Sequence, residues 1–292
     1  MKKFLYWLLA IIITLTAAIY QRRTGPTYPK RITTEINDSV YNLKLTRSIG
    51  LEERSQVRLA ISDTSVKAKL FYRRFPTNDN YTPVDFTYRV YPINSPIMNK
   101  IFKMYQEDGL YADIPQQPAA GKIQYYIEIT DSNGTRTILK EEPNIIRYKG
   151  SVPAYILLPH VLLMFFAMLL STLAGLLAIG RNKAFRRYAT WTLGLFVIGG
   201  MILGPVVQLI AFGDLWTGIP FGWDLTDNKT LIALIFWIVA VYLNRKRERP
   251  FYVILAAVIL LLVYSIPHSL FGSELNYDSG EVVQGIILNF LM

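Results

Sequence analysis

Long apolar segments dominate the second half of the chain and constrain its fold more than any other feature. Four follow residue 150: Pro153 to Ile179, Tyr188 to Phe212, Thr230 to Leu243 and Phe251 to Pro267. A helix needs about twenty apolar residues to cross the hydrocarbon core of a bilayer. The segments therefore predict a four-helix transmembrane bundle over residues 153–267. The third is short and must include Leu225 to Asn228 or tilt.

The chain also begins with an apolar run. Lys2 and Lys3 precede Phe4 to Tyr20, a pattern shared by cleavable signal peptides and uncleaved anchors. The run is longer than a usual signal core, and Thr16-Ala17-Ala18 is a mediocre cleavage site. We therefore favour a signal anchor or transmembrane helix over residues 1–20. In either case the chain after Tyr20 is exported.

Basic residues indicate the orientation of these helices. Two clusters directly follow apolar segments: Arg181, Lys183, Arg186 and Arg187, and Arg245, Lys246, Arg247 and Arg249. Basic loops stay in the cytoplasm. The domain before residue 150, the loop 213–228 and the tail 268–292 are therefore predicted to lie together on the periplasmic side of a bacterial inner membrane. Because the basic residues lie in such loops, the formal charge of +10 does not indicate a nucleic-acid partner.

Residues 33–149 alternate apolar and polar side chains over short runs, one of them from Val84 to Tyr91, which predicts antiparallel strands. The clearest hairpin spans Lys122 to Leu139, where Asn133-Gly134 supplies the positive φ of a tight turn. About seven such strands predict an all-β sandwich, with Tyr125 and Tyr126 in its core or at a corner. Ser95 to Gln106 has a helical period and predicts a short inserted helix.

Three motifs of this domain are Leu70-Phe-Tyr-Arg, Gly109-Leu-Tyr-Ala-Asp-Ile-Pro and Tyr125-Tyr-Ile-Glu-Ile-Thr-Asp-Ser-Asn-Gly. They resemble immunoglobulin-like or fibronectin-type-III-like modules of bacterial envelope proteins, over roughly residues 40–148. The resemblance implies a display or docking module and no catalytic residue. Two further motifs, Gly204-Pro-Val-Val-Gln and the stretch from Gly213 to Thr230, resemble uncharacterised bacterial multi-pass inner-membrane proteins. This second resemblance implies no activity.

Stripes of small residues predict where the membrane helices pack most closely. One stripe lies below His160 at Met164, Ala167, Ser171 and Gly175; the other runs through Gly200 and Gly204 to Gln208. Packing the two together places His160 and Gln208 in one pocket in the outer half of the membrane. His268 and Tyr264 end the last segment near the same level. The loop 213–228, predicted to be a lid, and the tail add Asp214, Trp216, Trp223, Asp224, Asp227 and Glu274.

Two cofactor hypotheses follow from this pocket. In the first, His160 and His268 are axial ligands of one b-type haem, with Gln208 and Tyr264 beside them. In the second, one histidine, His160 or His268, binds a divalent metal such as zinc, iron or manganese together with Asp224, Asp227 or Glu274. Cysteine is absent, which excludes thiolate ligands, disulfides and a cysteine nucleophile.

The same residues also suit ordinary structural roles. A membrane histidine commonly forms an interhelical hydrogen bond. Asp224, Thr226, Asp227 and Asn228 lie where N-cap residues lie, just before or at the start of a helix. Trp216 and Trp223 suit the interfacial aromatic belt. His268-Ser269 does not indicate a catalytic triad, because nothing in the sequence spacing provides a carboxylate that would orient the histidine. The sequence leaves the choice between these roles and cofactor binding open.

The sequence thus predicts a non-enzymatic scaffold or accessory protein whose β domain docks a periplasmic or membrane protein. The alternative is a redox protein that binds a haem or metal in the pocket. A transporter is less favoured, because the inner halves of the segments carry no ionisable residue. Val282 to Met292 is apolar but too short to span, and it predicts a short interfacial helix.

Overall fold

A computed structural model describes residues 2–267 and 273–283, and the chain divides into two compact units. The helical unit comprises the described parts of residues 1–26, 151–274 and 282–292. The β unit comprises residues 27–150 and 275–281. The β unit therefore includes part of the tail as well as the segment before residue 150.

The described chain forms seven α-helices. They are α1 (Lys2–Thr24), α2 (Pro96–Lys100), α3 (Ala154–Ile179), α4 (Phe185–Phe196), α5 (Gly204–Phe212), α6 (Leu225–Leu243) and α7 (Pro250–Ser265). A π-helix, Val197–Leu203, joins α4 to α5, so that residues 185–212 are continuously helical. Four helices are long and apolar enough to cross a membrane: α1, α3, this continuous helix and α6. The prediction of membrane-length helices is confirmed for the N-terminal segment and for three of the four later segments.

The third and fourth predicted segments differ in length from their helices. α6 begins at Leu225 and does include the polar residues up to Asn228. α7 has only 16 residues, which at 1.5 Å per residue is about 24 Å, less than a hydrocarbon core of about 30 Å. It ends at Ser265 because Ile266 is extended, as a residue before proline usually is.

Helix α3 lies at the centre of the helical unit. In its most apolar stretch of 18 residues 56% is buried, against 17–28% in the corresponding stretches of the other three membrane-length helices. Its Leu173 and Ala174 are fully buried, as is Trp237 of α6. A Cβ added to Gly175 would lie 2.8 Å from the Cβ of Ala257, so α3 and α7 approach closely at this glycine. α1 packs on the same core through Ala10, which is fully buried.

The two basic clusters lie at one end of the helical unit. The guanidinium of Arg186 donates to the carbonyl oxygen of Arg245 at 2.5 Å, which joins the first turn of α4 to the α6–α7 loop. The start of α1 lies at the same end, because Trp7 contacts Tyr188 edge-on at 5.9 Å between ring centroids. The end of α1, the start of α3 and the start of α6 are therefore at the opposite end.

The β unit is built from eleven strands, and two short strands lie in the tail. They are β1 (Lys30–Ile36), β2 (Ser39–Leu45), β3 (Ser48–Gly50), β4 (Gln56–Leu59), β5 (Lys67–Arg74), β6 (Thr82–Asp85), β7 (Thr87–Pro92), β8 (Gln106–Asp113), β9 (Lys122–Asp131), β10 (Gly134–Ile138), β11 (Asn144–Lys149), β12 (Glu274–Leu275) and β13 (Val282–Val283). One sheet has the order β3-β11-β9-β5-β6, with β10 also paired to β9. A second has the order β4-β8-β7, and β1 and β2 form a hairpin.

One hydrophobic core joins the three sheets. It contains Leu43 of the hairpin, Leu59 of the β4-β8-β7 sheet and Ile127 of the largest sheet, all buried. The alternation predicted from the sequence is visible in β4, where Val57 and Leu59 are buried and their neighbours are half-buried. The predicted hairpin is also present, with Gly134 opposite Asp131 and a φ of +115° at the glycine.

Two predicted elements of the β unit are corrected. The run from Val84 to Tyr91 is two strands, because the chain changes sheet at buried Phe86: β6 pairs with β5, and β7 pairs with β8. The helix predicted for Ser95 to Gln106 is only the five residues of α2. It is capped by Ser95 and ends before Lys103, whose φ is +52°.

The tail forms extended structure where a helix is predicted. Val282 and Val283 form β13, whereas residues 284–292, the rest of the predicted interfacial helix, lie outside the described residues. Within the β unit, the backbone N–H of Leu275 donates to Ala120 O at 3.1 Å. The Tyr277 hydroxyl accepts from Lys122 N at 2.9 Å and donates to Lys122 O at 2.8 Å. These bonds hold residues 275–277 in the β unit.

Candidate functional site

A cavity of about 410 Å³ lies in the helical unit, at the end opposite the basic loops. Pockets of this size hold small molecules. Residues of α1, α3, α5, α6, α7 and the loop 213–224 line it. Six predicted site residues are among them: His160, Gln208, Trp216, Asp224, Asp227 and Tyr264. The structure therefore brings most of the predicted pocket together.

The small-residue stripes account for this arrangement. A Cβ on Gly199 would lie 2.9 Å from Leu163 Cβ, and one on Gly200 would lie 3.3 Å from Met164 Sδ. The π-helix therefore packs against α3 at a distance that only glycine allows. The stripe on α3 serves two neighbours, since its upper part faces the π-helix and Gly175 faces α7.

His160 is held in the cavity wall by a backbone hydrogen bond. Its Nδ1 lies 2.8 Å from the carbonyl oxygen of Gly199. A carbonyl only accepts, so Nδ1 carries the proton, and Nε2 of the neutral ring is left as an acceptor. Gly199 O also accepts from the N–H of Gly204, five residues on, as the π-helix requires. The interhelical hydrogen bond predicted as an ordinary role for a membrane histidine is present.

Asp227 fastens the loop to the first turn of α6. Its Oδ2 accepts from the N–H of Thr217 at 2.7 Å, from the Thr217 hydroxyl at 3.2 Å and from Gln208 Nε2 at 3.1 Å. The carboxylate is buried. A Cβ on Gly218 would lie 2.6 Å from Asp227 Cβ, so the loop passes directly over this residue. Asp227 thus ties the loop, α5 and α6 together at one oxygen.

Asp224 has the capping role that the sequence left open, whereas Asn228 bonds to the loop. Asp224 is the N-cap of α6, and its Oδ1 accepts from Thr226 N at 2.7 Å and from Asp227 N at 3.3 Å. Its Oδ2 accepts from the Ser273 hydroxyl at 3.4 Å. Asn228 accepts from the N–H of Ile219 at 2.7 Å. The start of α6 is therefore enclosed by its own loop and by the residue at 273.

Lys229 is a buried cation to which the sequence assigns no role. Its Nζ donates to Ile266 O at 2.7 Å and to Pro267 O at 3.4 Å. These carbonyls follow α7, where the helix leaves its last acceptors unsatisfied and carries a partial negative charge. Lys229 therefore links the start of α6 to the end of α7. Its pairing partner lies 37 residues away, so only the fold reveals it.

The other predicted site residues lie away from the cavity or outside the description. Asp214 and Trp223 do not line it, and Trp223 is exposed, as expected for an interfacial belt residue. Trp216 lines the cavity and donates from Nε1 to Ile219 O at 3.1 Å. Glu274 is buried but does not line the cavity. His268 lies outside the described residues.

The chemistry of the cavity is that of hydrogen-bond acceptors. Within the described chain, Nδ1 of His160, Nε2 of Gln208 and Oδ2 of Asp227 are already bonded. The remaining polar atoms of the three side chains, Nε2, Oε1 and Oδ1, offer lone pairs. No three His, Asp or Glu side chains among residues 2–267 and 273–283 are grouped closely enough to hold a metal ion. Both cofactor hypotheses depend on His268 and stay predictions.

The buried tyrosines of the β unit have raised pKa values and structural roles. Tyr125 is fully buried, as predicted for a core tyrosine, and its hydroxyl accepts from Asn144 Nδ2 at 2.8 Å. Burial raises the pKa of Tyr125 above its ordinary value. Burial also raises the pKa of Tyr148, to about 12, although Ser55 lies within 2.6 Å of its hydroxyl. Tyr126 is half-buried and stacks on Phe71 with 4.8 Å between centroids.

No family model, no curated protein and no solved structure matches this chain. The function is therefore argued from the geometry above.

Proposed function

We propose that the chain is an integral protein of the bacterial inner membrane that holds an immunoglobulin-like β unit on the periplasmic side as a scaffold or accessory module. Its role is non-enzymatic, and its partner is a periplasmic or membrane protein that docks on the β unit. β7 suits docking because it is an edge strand whose Tyr88 and Val90 are exposed. Edge strands present unpaired backbone groups to a partner strand.

The course of the tail is the observation that carries this proposal. Ser273 bonds to Asp224 at the start of α6, and four residues later Tyr277 bonds to Lys122 of the β unit. A chain that makes both contacts keeps the tail, the start of α6 and the β unit in one compartment. The basic loops joined through Arg186 and Arg245 lie at the opposite end. The positive-inside rule then assigns that end to the cytoplasm.

Single-cysteine labelling tests the orientation, and the chain has no cysteine that would interfere. Val40 and Trp223 are exposed, and the side chain of Lys183 in a basic loop is 84% exposed. In intact spheroplasts, a membrane-impermeant maleimide is expected to label Val40→Cys and Trp223→Cys. Lys183→Cys is expected to react only after permeabilisation. Labelling of Val40→Cys and Trp223→Cys from different sides would refute the proposal.

Docking on the β unit is tested by crosslinking in cells. A photoreactive amino acid at Val90 on β7 is expected to give one discrete crosslinked protein, whereas the same probe at exposed Tyr242 of α6 does not give that band. Identical crosslinks from both positions would contradict a docking role of the edge strand.

A membrane redox protein is the second candidate function, and the orientation of His160 favours it. Histidines that bind metals commonly donate their other ring N–H to a backbone carbonyl, as Nδ1 of His160 does to Gly199 O. In this function His160 and His268 would hold one b-type haem, which supplies one-electron transfer, or a metal. Gln208 and Tyr264 would line the same space.

The visible spectrum of the detergent-purified protein separates the two candidates. A Soret band that disappears in both His160→Ala and His268→Ala, and persists in Tyr264→Phe, supports the redox function. A colourless and metal-free preparation would exclude the redox function and leave the scaffold function.

A further inference from the structure

The connection between β7 and β8 carries an unpartnered apolar surface. Residues 96–105, which we name the apolar connection, include α2, and none of the residues of α2 is buried. Six large apolar side chains of this stretch are between 40% and 69% exposed: Ile97, Met98, Ile101, Phe102, Met104 and Tyr105. Soluble surfaces rarely group so many, and such patches mark sites of interaction with proteins or membranes.

The apolar connection has a defined conformation. Its ends are joined by the N–H of Ile93 donating to Tyr105 O at 2.8 Å, and Met104 N donates to Met98 O at 3.0 Å. Ser95 caps α2 by accepting from Met98 N at 3.4 Å. The apolar side chains are therefore displayed by a folded loop and are not the product of an unfolded segment.

Charge indicates which partner the surface fits. From Phe86 to Gln106 the chain contains no Asp or Glu, whereas Lys100 and Lys103 lie among the exposed apolar residues. Lysines in such a position reach the headgroups of anionic lipids while the apolar side chains enter the acyl region. The distribution of apolar residues agrees, because Ile97 belongs to α2, whereas Phe102 and Tyr105 follow the helix and are not part of one helical face. A bilayer solvates every side of an inserted loop, whereas a protein partner covers one face.

Short links connect the β unit to the helical unit. Residues 25–29 link α1 to β1, and residues 150–153 link β11 to α3. An extended chain spans at most about 3.5 Å per residue, so the two links reach roughly 20 Å or less. The β unit of a membrane-anchored chain therefore stays within reach of the headgroups.

We propose that the apolar connection inserts into the periplasmic leaflet of the bilayer and that anionic phospholipid is its partner. The inference rests on the membrane anchoring in the proposed function, but not on the docking role of β7. Insertion of residues 96–105 would give the β unit a further attachment to the membrane, besides its chain links to the helical unit. It would restrict the orientations in which β7 meets a partner.

Depth-dependent fluorescence quenching tests the insertion in the full-length protein. An environment-sensitive fluorophore is attached to Phe102→Cys, and in a second variant to Asn94→Cys, which keeps all six apolar residues. The matched control is Val40→Cys, on β2 of the same unit and 68% exposed. Each variant is reconstituted in vesicles of phosphatidylcholine with or without phosphatidylglycerol, and acyl chains brominated at a known depth serve as quenchers.

We expect bromolipid to quench the probes at 102 and 94 several-fold more than the probe at 40, with more quenching when phosphatidylglycerol is present. Each lysine near an anionic surface favours insertion about fivefold. Replacing both Lys100 and Lys103 with glutamine is therefore expected to lower the ratio of inserted to released loop about 25-fold.

Three results would overturn the proposal. One is quenching at 102 and 94 no greater than at 40 in vesicles that retain the protein, which leaves the proposed function intact. Another is a probe whose emission changes in native membranes but is never quenched by bromolipid, a result that would assign the surface to a protein partner. The third is failure of every variant to remain with the vesicles, which refutes the membrane anchoring as well.

Discussion

Replacing Asp227 with alanine is expected to release the loop 213–224 from α6. Three donors converge on Oδ2 of Asp227: two from Thr217 and one from Gln208, at 2.7–3.2 Å. A hydrogen bond to a charged group contributes about 1.5–3 kcal/mol, but three bonds to one oxygen are not additive. Removing the carboxylate also leaves these buried donors without an acceptor, which costs about 1–3 kcal/mol for each donor, so that the whole loss is about 3–5 kcal/mol. The equilibrium for opening the loop should therefore rise roughly a hundred- to several-thousand-fold.

Limited proteolysis measures this opening. Chymotrypsin cuts after aromatic residues, and Phe221 and Trp223 lie in the loop with exposed side chains. At low protease concentration the cleavage rate follows the population of the opened loop. The wild type and Asp227→Ala are compared in the same detergent, with cleavage followed by intact mass. The expected result is a rate increase of at least about a hundredfold, confined to aromatic sites of this loop.

Two matched variants separate the carboxylate from general damage. Asn228→Ala removes one hydrogen bond, to Ile219 N, and should raise the rate only about fivefold. Leu215→Ala alters an exposed side chain of the same loop and should leave the rate within about twofold. If Asp227→Ala is cleaved no faster than Asn228→Ala, Asp227 is not the clamp of the loop and the reasoning fails.

Three further predictions follow from close contacts and burial. Gly109→Ala should lower the free energy of unfolding by about 3 kcal/mol or more, because φ is +149° and a Cβ would overlap a carbonyl of β4. Gly134→Ala should lower it by only about 1 kcal/mol, because φ is +115° there but the space is open. Equal thermal midpoints of the two variants would contradict this prediction. Gly199→Ala should destabilise the detergent-solubilised protein, because a Cβ would lie 2.9 Å from α3. Gly194→Ala has free space and should stabilise it by up to about 1 kcal/mol. Thermal midpoints measure both effects, and an unchanged midpoint in Gly199→Ala would contradict the close packing. Burial raises the pKa of Tyr148 to about 12 from an unfolded value near 10, so the contribution of Tyr148 to the free energy of unfolding is complete below pH 10, and up to about 3 kcal/mol of stability is lost between pH 10 and 12. Denaturant titrations should show a smaller loss of stability at alkaline pH in Tyr148→Phe than in the wild type, and an equal loss would refute the assignment.

The pocket could be predicted from the sequence because its helices carry short-range signals. Apolar length predicts the helices, and small residues at helical spacing predict which faces approach. This is enough to bring His160 of α3 and Gln208 of α5 to one cavity. Likewise, the cap at Asp224 follows from a polar residue directly before an apolar helix. In each case the information lies within a few turns of one helix.

The features that escaped prediction depend on contacts between distant residues. Lys229 resembles any lysine near a helix start until α7 supplies its carbonyls. Strand alternation continues through Phe86, so periodicity does not reveal that the chain changes sheet there. The π-helix has only an indirect signal in Gly199, Gly200 and Pro205, since proline removes one N–H from the ladder and glycine tolerates the wider turn.

The loop 213–224 is better described as a fixed wall than as the predicted lid, and this changes how a ligand would reach the cavity. A lid must open at small cost, but this loop is bonded to α6 through both Asp227 and Asn228. Among the residues that line the cavity, Leu157 and Val161 of α3 are exposed on the outer surface of the helical unit. In a bilayer that surface faces acyl chains. Under the proposed membrane location, a ligand would reach the cavity sideways from the membrane, which would favour apolar ligands over water-soluble ones and would give the loop the task of excluding water from the acceptors on His160, Gln208 and Asp227.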